Sequence, residues 1–196
     1  MNLSENDLSP ETIEQIAMHY GEILRLLGEN PDREGLRDTP MRAAKAMSFL
    51  TSGYRTQLDD VVSSALFSTS STGMVIVKDI EFYSLCEHHI LPFFGHISIG
   101  YFPRNKIVGL SKVARVVDAI ARRLQVQERF THEVAAALSE SIEGCRGVAV
   151  RCEAQHMCMM MRGVAKQDSS TVTLAATGCF DDRPDLMQQF LNLVCC

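Results

Sequence analysis

The stretch MVIVKDIEFYSLCEHHILPFFGHISIGYFP, residues 74–103, contains two segments with the composition of β-strands. MVIVKDIEFYSL and HISIGYFP are rich in branched and aromatic residues, and each alternates in part between apolar and polar side chains. This pattern is typical of strands that are half buried against helices. We therefore predict that the two segments form neighbouring antiparallel strands.

Helical patterns lie on both sides of this stretch. The first begins at SPETIEQ, where Ser9 is the expected cap, and ends at Gly28; the second begins at TPMRAAK, with Thr39 as the expected cap. A long helical region, GLSKVARVVDAIARRLQVQERFTHEVAAALSESIEG, covers residues 109–144. Its apolar residues recur at helical intervals on two successive faces. The first face consists of Val113, Val116, Val117, Ile120 and Leu124, and the second of Phe130, Val134, Leu138 and Ile142.

The remaining segments complete an α+β pattern. GVAVRCEAQHMCMMMRG and STVTLAATGCF predict two more strands, PDLMQQFLNLV predicts a terminal helix, and VVSSALFSTSST predicts a flexible connection. We expect an antiparallel sheet backed by helices, with an N-terminal helical segment over residues 1–60 and the main domain over residues 61–196.

Composition limits the classes of partner and location. The 196 residues carry a formal net charge of −5, which argues against general binding to nucleic acids. No apolar run approaches the roughly 20 residues of a membrane span, and the N-terminus has no basic start and no apolar signal region. We therefore expect a cytoplasmic protein with neither a nucleic-acid nor a membrane partner. Because the cytoplasm is reducing, we expect unpaired cysteines, with Cys145, Cys152 and Cys179 buried and Cys195 and Cys196 at a frayed end.

The motif CEHH offers metal ligands. Cys86 and His89 lie three residues apart, so in a turn their side chains project to the same side, whereas His88 points away from His89. Cys158 is a candidate third ligand, because zinc prefers thiolate and imidazole ligands and three protein ligands leave one coordination position open. The alternative is an ordinary histidine-containing loop and a buried cysteine.

The sequence HMC adds a second histidine to this chemistry. If the chain is extended there, His156 and Cys158 face the same way because they are two residues apart. His88 and His156 would then act as general acid and base beside the metal, a function suited to imidazole groups.

Charged residues of the long helical region suggest contacts with a ligand. Ser111 is a possible helix cap, and Lys112 and Arg115 share one face of the first turns, where an anion such as phosphate could bind. Arg162 adds a cation near Cys158. A solvated helix face explains the same charges equally well. Glu128 could accept hydrogen bonds from an amidine-like edge such as that of guanine, or simply be exposed.

Several motifs in this order closely resemble the GTP cyclohydrolase I family. They are REGLRDTPMRAAKAM, CEHH, GLSKVARVVDAIARRLQVQER and HMCMMMRG, so the resemblance covers roughly residues 30–180. It implies the tunnelling fold, with subunits joined into barrel rings and two five-membered rings stacked as a homodecamer whose sites lie between subunits. TLAATGCF and the short N-terminal segment depart from the usual pattern of the family.

The resemblance also implies functions for individual residues. It makes Cys86, His89 and Cys158 the ligands of Zn²⁺ and gives the proton transfers to His88 and His156. It assigns recognition of guanine to Gln127 and Glu128. It assigns the triphosphate of GTP to Ser111, Lys112, Arg115 and Arg162, and it makes Arg42 a residue that reaches the phosphate site of a neighbouring subunit. The implied reaction opens the imidazole ring of GTP and yields formate and 7,8-dihydroneopterin triphosphate, at the start of pterin and folate biosynthesis.

Two other classes of protein remain open at this point. A different tunnelling-fold enzyme acting on pterins or deazaguanines would share Glu128 but should lack the complete set of CEHH and HMC. A structural zinc module would have a fourth protein ligand that closes the metal site, and no residue stands out for that position.

Overall fold

The computed structural model describes residues 8–62 and 65–195. These residues form two compact units, one up to Thr56 and one from Gln57 onward. The domain boundary predicted at residue 60 stays a prediction. Ser63, Ser64 and Cys196, which belong to the predicted flexible connection and the predicted frayed end, lie outside the described residues.

The first unit consists of helices. Helix α1 spans Pro10–Leu26, α2 spans Thr39–Leu50, and a 3-10 helix spans Ser52–Arg55. The expected cap of α1 is confirmed, because the side-chain oxygen of Ser9 accepts a hydrogen bond from the backbone N–H of Thr12.

The predicted end of α1 is correct, whereas the predicted start of α2 is not. Gly28 follows α1 with φ +85°, a left-handed conformation that favours glycine, so it stops the helix as predicted. The cap predicted for α2 was wrong by one residue, because Asp38 precedes the helix and Thr39 is its first residue. Between the two helices, Ile13 and Ala17 pack against Ala44 in a small buried cluster.

The second unit contains the sheet. Its helices are α3 Leu58–Val62, α4 Leu110–Ala121, α5 Gln127–Ser141, α6 Met157–Met160, α7 Cys179–Asp182 and α8 Pro184–Val194. Its strands are β1 Leu66–Ser68, β2 Val75–Cys86, β3 Pro92–Phe102, β4 Lys106–Val108, β5 Leu124–Gln125, β6 Gly147–His156 and β7 Thr171–Ala176.

Five of these strands form one sheet in the order β5-β2-β3-β6-β7. The pairs β2-β3, β3-β6 and β6-β7 are antiparallel, and β5 joins β2 in parallel. The predicted antiparallel pair is therefore confirmed, as is the mixed architecture of an antiparallel sheet backed by helices. The connection predicted to be flexible is not entirely so, because β1 pairs with β4 in a separate two-stranded sheet.

Helices α4 and α5 cover one face of the main sheet. Helix α4 contacts β2, and α5 contacts β6 and β7. The buried cluster between these layers includes Phe82 and Ile97 of the sheet, Val116 of α4 and Phe130 of α5. A second buried cluster contains Ala149 of strand β6 and Phe190 of helix α8. Apolar burial on this scale is the main stabilising contribution to the fold.

The long helical region is interrupted where the sequence pattern is continuous. Helix α4 ends at Ala121, so the prediction that Leu124 belongs to its apolar face was wrong. Arg122 leaves the helical conformation with φ −77° and ψ 52°, and Leu124 pairs with Leu85 as part of β5. The predicted cap Ser111 was also wrong, because Gly109 precedes the helix in an extended conformation.

The described cysteines are all free thiols, as expected. Cys152 is fully buried, whereas Cys145 and Cys179 are only partly buried and Cys195 is exposed. Within residues 8–62 and 65–195, no helix combines the length and the apolar character that a membrane crossing demands.

Candidate metal centre and active site

Two cysteines and a histidine from distant parts of the sequence meet at one end of the main sheet. Cys86 is the last residue of β2, His89 lies in the turn that follows, and Cys158 lies in α6 directly after β6. The possible ligand atoms of these residues all lie within 4.8 Å of one another. Strand β3 brings them together, because it pairs with both β2 and β6 and places Phe93 opposite His156.

The turn that holds CEHH is closed by backbone hydrogen bonds. The N–H of Cys86 donates to the carbonyl of Leu91 at 2.8 Å, and the N–H of Ile90 donates to the carbonyl of Cys86 at 2.8 Å. Ile90 has φ +55°, a conformation that is strained for a branched side chain. The backbone is therefore strained in the turn that contains His88 and His89.

The residue spacing predicts that His89 lies close to Cys86 and that His88 points away, but both histidines lie at nearly the same distance from Cys86. Nδ1 of His88 lies 3.9 Å from Sγ of Cys86, and Nδ1 of His89 lies 4.0 Å from the same atom. The expectation that His88 points away from this side was therefore wrong. Distance to Cys158 separates the two histidines. Among the described residues, the group of ligand atoms that all lie close together consists of Cys86, His89 and Cys158, and it does not include His88.

Cys158 reaches this group from a helical turn and not from a strand. Strand β6 ends at His156 and α6 begins at Met157, so the predicted strand-like alternation of His156 and Cys158 was wrong. Burial raises the pKa of the Cys158 thiol, Cys86 raises it further, and the charge of Arg162 acts in the opposite direction. A bound cation would favour the thiolate form of such a group.

His156 is held by contacts on its ring face and its ring edge. Its ring stacks on Phe93 with the centroids 4.8 Å apart and the planes 2° from parallel. Its Nε2 lies 2.8 Å from Oε1 of Gln127. Burial lowers the pKa of His156, while the charge of Glu128 partly opposes that shift. The imidazole is therefore favoured in its neutral form, which can accept a proton.

Gln127 and Glu128 begin helix α5 but face different surroundings. Glu128 is exposed in the first helical turn, where its carboxylate is available to a ligand. Gln127 is 1% exposed, and its side-chain amide contacts carbonyl oxygens inside the protein. Recognition of guanine by Gln127 stays a prediction that its side-chain contacts do not favour.

The predicted phosphate-binding residues are found on three segments. Ser111, Lys112 and Arg115 lie in the first turns of α4, and Ser111 and Arg115 are exposed. Arg162 is exposed after α6, near enough for its charge to affect Cys158. Arg42 belongs to the first unit, where its Nη1 lies 3.4 Å from a carboxylate oxygen of Asp38.

Sequence reasoning missed one interaction beside the metal ligands. The guanidinium of Arg129 binds the carboxylate of Glu87 and donates to the backbone carbonyl of Leu124 at 2.9 Å. This ion pair lowers the pKa of Glu87 and connects the CEHH turn to helix α5. The available signal was an acid inside CEHH and a base inside QVQER, and only the fold shows that the two meet.

Comparison with known proteins agrees with this arrangement. The family model described as GTP cyclohydrolase I matches residues 16–195. A protein of Alkalilimnicola ehrlichii named GTP cyclohydrolase 1 is 54% identical over 181 residues, which cover 92% of this chain and 97% of that protein. A Pseudomonas aeruginosa protein named GTP cyclohydrolase 1 2 is 54% identical over 179 residues, covering 91% of this chain and 98% of that protein.

A relative from an animal shows the same similarity over a longer alignment. The Drosophila melanogaster protein named GTP cyclohydrolase 1 is 52% identical over 194 residues, which cover 97% of this chain and 60% of that protein. The family match includes every residue that forms the candidate metal centre. The chain therefore belongs to the GTP cyclohydrolase I family.

Proposed function

We propose that the chain is a zinc-dependent GTP cyclohydrolase I. It hydrolyses the imidazole ring of the guanine in GTP and forms 7,8-dihydroneopterin triphosphate and formate, the first step of pterin and tetrahydrofolate biosynthesis. The observation that carries this proposal is the meeting of Cys86, His89 and Cys158 at the end of the sheet that also holds His156. Family membership over residues 16–195 supports it.

The donor set fits zinc. Two cysteine sulfurs and one imidazole nitrogen within 4.8 Å of one another offer the ligand types that zinc prefers. Cys86, His89 and Cys158 would hold the ion through three protein ligands. Bound there, zinc supplies the Lewis-acid chemistry that activates water for hydrolysis.

His88 and His156 move protons in this proposal. Ring opening and the release of formate require that protons be taken from water and delivered to ring nitrogens, and imidazole groups do this near neutral pH. His156 suits the acceptor step, because burial favours its neutral form. His88 has its Nδ1 3.9 Å from Sγ of Cys86, so it adjoins the candidate metal ligands.

Substrate recognition divides between two kinds of residue. The exposed carboxylate of Glu128 accepts hydrogen bonds from the amidine-like edge of guanine. The resemblance assigns guanine to Gln127 as well, but its side-chain amide contacts carbonyl oxygens inside the protein. The triphosphate binds to Ser111, Lys112, Arg115 and Arg162, and to Arg42 of a neighbouring subunit. These contacts leave the reacting ring untouched and contribute by holding the substrate in position.

GTP turnover is the direct test of this function. The wild-type protein loaded with zinc should release formate from GTP, and it should release little from ATP, which lacks the edge that Glu128 recognises. Glu128→Gln should lose most of this activity, because an amide replaces one of the two acceptor oxygens with a donor. Equal turnover of ATP and GTP would contradict the assignment.

Two other functions give different results in the same assay. An enzyme of the same fold that acts on a pterin or a deazaguanine should lack the complete set of CEHH and HMC, so it would hold no zinc there and would release no formate from GTP. A structural zinc module would bind zinc without catalysing any reaction of GTP. Formate release together with the zinc content therefore separates all three.

The proposed assembly is a homodecamer of two stacked five-membered rings, with active sites between subunits. It is tested by mixing an Arg42→Ala chain with a His88→Ala chain, each inactive alone. If residues of different subunits complete one site, mixed assemblies regain part of the activity. Full activity in an isolated monomer would contradict shared sites. The cytoplasmic location, the lack of a nucleic-acid partner and the lack of a membrane partner stay predictions.

A further inference from the structure

The side-chain amide of Gln127 can adopt only one orientation. Its Nε2 lies 2.9 Å from the carbonyl oxygen of Thr171 and 3.2 Å from that of Cys152. A carbonyl oxygen accepts hydrogen bonds and cannot donate one, so the NH₂ group must face these two atoms. The amide oxygen Oε1 must then face Nε2 of His156, which lies 2.8 Å away.

Two threonine hydroxyls support the same orientation. Oγ1 of Thr131 donates to the backbone carbonyl oxygen of Gln127 at 2.7 Å, which uses the one hydrogen of that hydroxyl. In the 2.6 Å contact between the threonines, the hydroxyl of Thr173 must therefore be the donor. Thr173 is left as an acceptor toward Nε2 of Gln127 at 3.2 Å.

This network determines which nitrogen of His156 carries hydrogen. Oε1 of Gln127 has no hydrogen to donate, so the bond at 2.8 Å requires a hydrogen on Nε2 of His156. In the neutral ring Nδ1 then has a free lone pair. Gln127 is 1% exposed and Thr131 is fully buried, so water does not readily replace these contacts. Phe93, parallel to the ring at 4.8 Å, fixes the ring plane.

We propose that Gln127 is a positioning residue that holds His156 with its hydrogen on Nε2 and reserves Nδ1 for proton transfer. The catalytic part of this inference rests on the proposed function, because that function requires His156 to move a proton. The position of the hydrogen does not depend on it. Gln127 thereby acts through His156 and not through a contact with guanine.

The test uses the zinc-loaded protein with ¹⁵N-labelled histidine. Nitrogen NMR distinguishes a ring nitrogen that carries hydrogen from one that does not, and the signals of His156 are assigned by their loss in a His156→Asn variant. The wild type should show hydrogen on Nε2 alone. Gln127→Leu should show a mixture of the two tautomers, with unchanged zinc content, kcat about 10- to 100-fold lower and KM for GTP within about twofold.

Gln125→Leu is the matched control. Gln125 is also 1% exposed; its Nε2 donates to a carboxylate oxygen of Glu133 at 2.9 Å and to the carbonyl of Ile120 at 3.3 Å, while its Oε1 accepts from Arg129. The control therefore removes a similar buried amide without touching His156, and the tautomer of His156 should stay as in the wild type.

Three results would overturn the proposal. The first is hydrogen on Nδ1 of His156 in the wild type, a measurement that needs no variant to fold. The second is an unchanged tautomer in Gln127→Leu, and the third is a mixed tautomer with an unchanged kcat. Failure of the proposed function looks different, because the wild type would then show hydrogen on Nε2 of His156 but release no formate from GTP.

Discussion

Gly95 lies in the central strand β3 at a point where the sheet has no room for a side chain. A Cβ atom there would lie 2.0 Å from the carbonyl oxygen of Glu153 and 2.7 Å from Cα of Ala154, both backbone atoms of β6. Gly95 is the direct partner of Ala154 in the strand register. Gly95→Ala should therefore push β3 and β6 apart, two residues from the pair of Phe93 and His156.

The cost follows from the size of this overlap. Ordinary contacts of a Cβ lie at 3.4–4 Å, so the strands must separate by more than 1 Å near Gly95. Overpacking of this kind costs about 1–3 kcal/mol. The separation also weakens about two hydrogen bonds between the strands, each contributing about 0.5–1.5 kcal/mol. We expect Gly95→Ala to lower the free energy of unfolding by about 2–6 kcal/mol.

Urea unfolding followed by circular dichroism measures this loss, at equal protein concentration for every variant. Gly73→Ala is the matched control, because the nearest atom to its Cβ would be Oγ of Ser71 at 4.0 Å. That variant should be unchanged or more stable by about 0.4–1 kcal/mol, since alanine reduces the freedom of the unfolded chain. Gly95→Ala with a stability within about 0.5 kcal/mol of the wild type would refute the close approach of β3 and β6.

Other predictions test the core and its buried thiol. Phe130→Ala should lower the free energy of unfolding by about 3–5 kcal/mol, because Phe130 is fully buried; Phe67→Ala, at a side chain 57% exposed, should change it by less than about 0.5 kcal/mol. Burial raises the pKa of Cys152 to about 12, so iodoacetamide at pH 8 should modify the exposed Cys195 and leave Cys152 unmodified until the protein unfolds. The raised pKa also means that the contribution of Cys152 to stability is complete below about pH 9 and is lost as pH rises toward 12, by about 1.4 kcal/mol per pH unit at most. Unfolding measured across this range should show a shallower loss for Cys152→Ala than for the wild type, and equal slopes would contradict the burial of an un-ionised thiol.

Local patterns in the sequence predict much of this fold. Branched and aromatic residues with partial alternation indicate β2 and β3, and the cap at Ser9 and the stop at Gly28 mark the ends of α1. Each of these features depends on residues that are close in sequence, so the physical cause is visible in the sequence itself. The bounds of α8, Pro184–Val194, also match the segment predicted for it.

The errors occur where distant contacts decide the conformation. Leu124 continues the apolar spacing of α4, but pairing with Leu85 of β2 draws it into β5. His156 and Cys158 are two residues apart in a segment that looks like a continuous strand, yet the chain turns into α6 between them. The structure brings Cys158 to Cys86 through that turn. Local periodicity contains no information about such tertiary pairings.

The contacts of the site were the least accessible to sequence reasoning. The amide of Gln127 binds Nε2 of His156 across 29 positions of the chain, and Arg129 reaches Glu87 across 42 positions. Motifs can suggest which residue types take part in the chemistry. Which of them touch each other depends on the register of the sheet and on the packing of α5 against it.

In the proposed function, Cys86, His89 and Cys158 hold a zinc ion beside histidines that move protons. The most direct test is the zinc content per subunit, measured by elemental analysis together with formate release from GTP, for the wild type, His89→Ala and His88→Ala. We expect His89→Ala to lose zinc and activity together, because one of three ligands is gone. We expect His88→Ala to keep zinc while activity falls about 100-fold or more. Zinc retained in His89→Ala and lost in His88→Ala would reverse the functions of the two histidines, and zinc unchanged in both would show that the CEHH turn does not bind the metal.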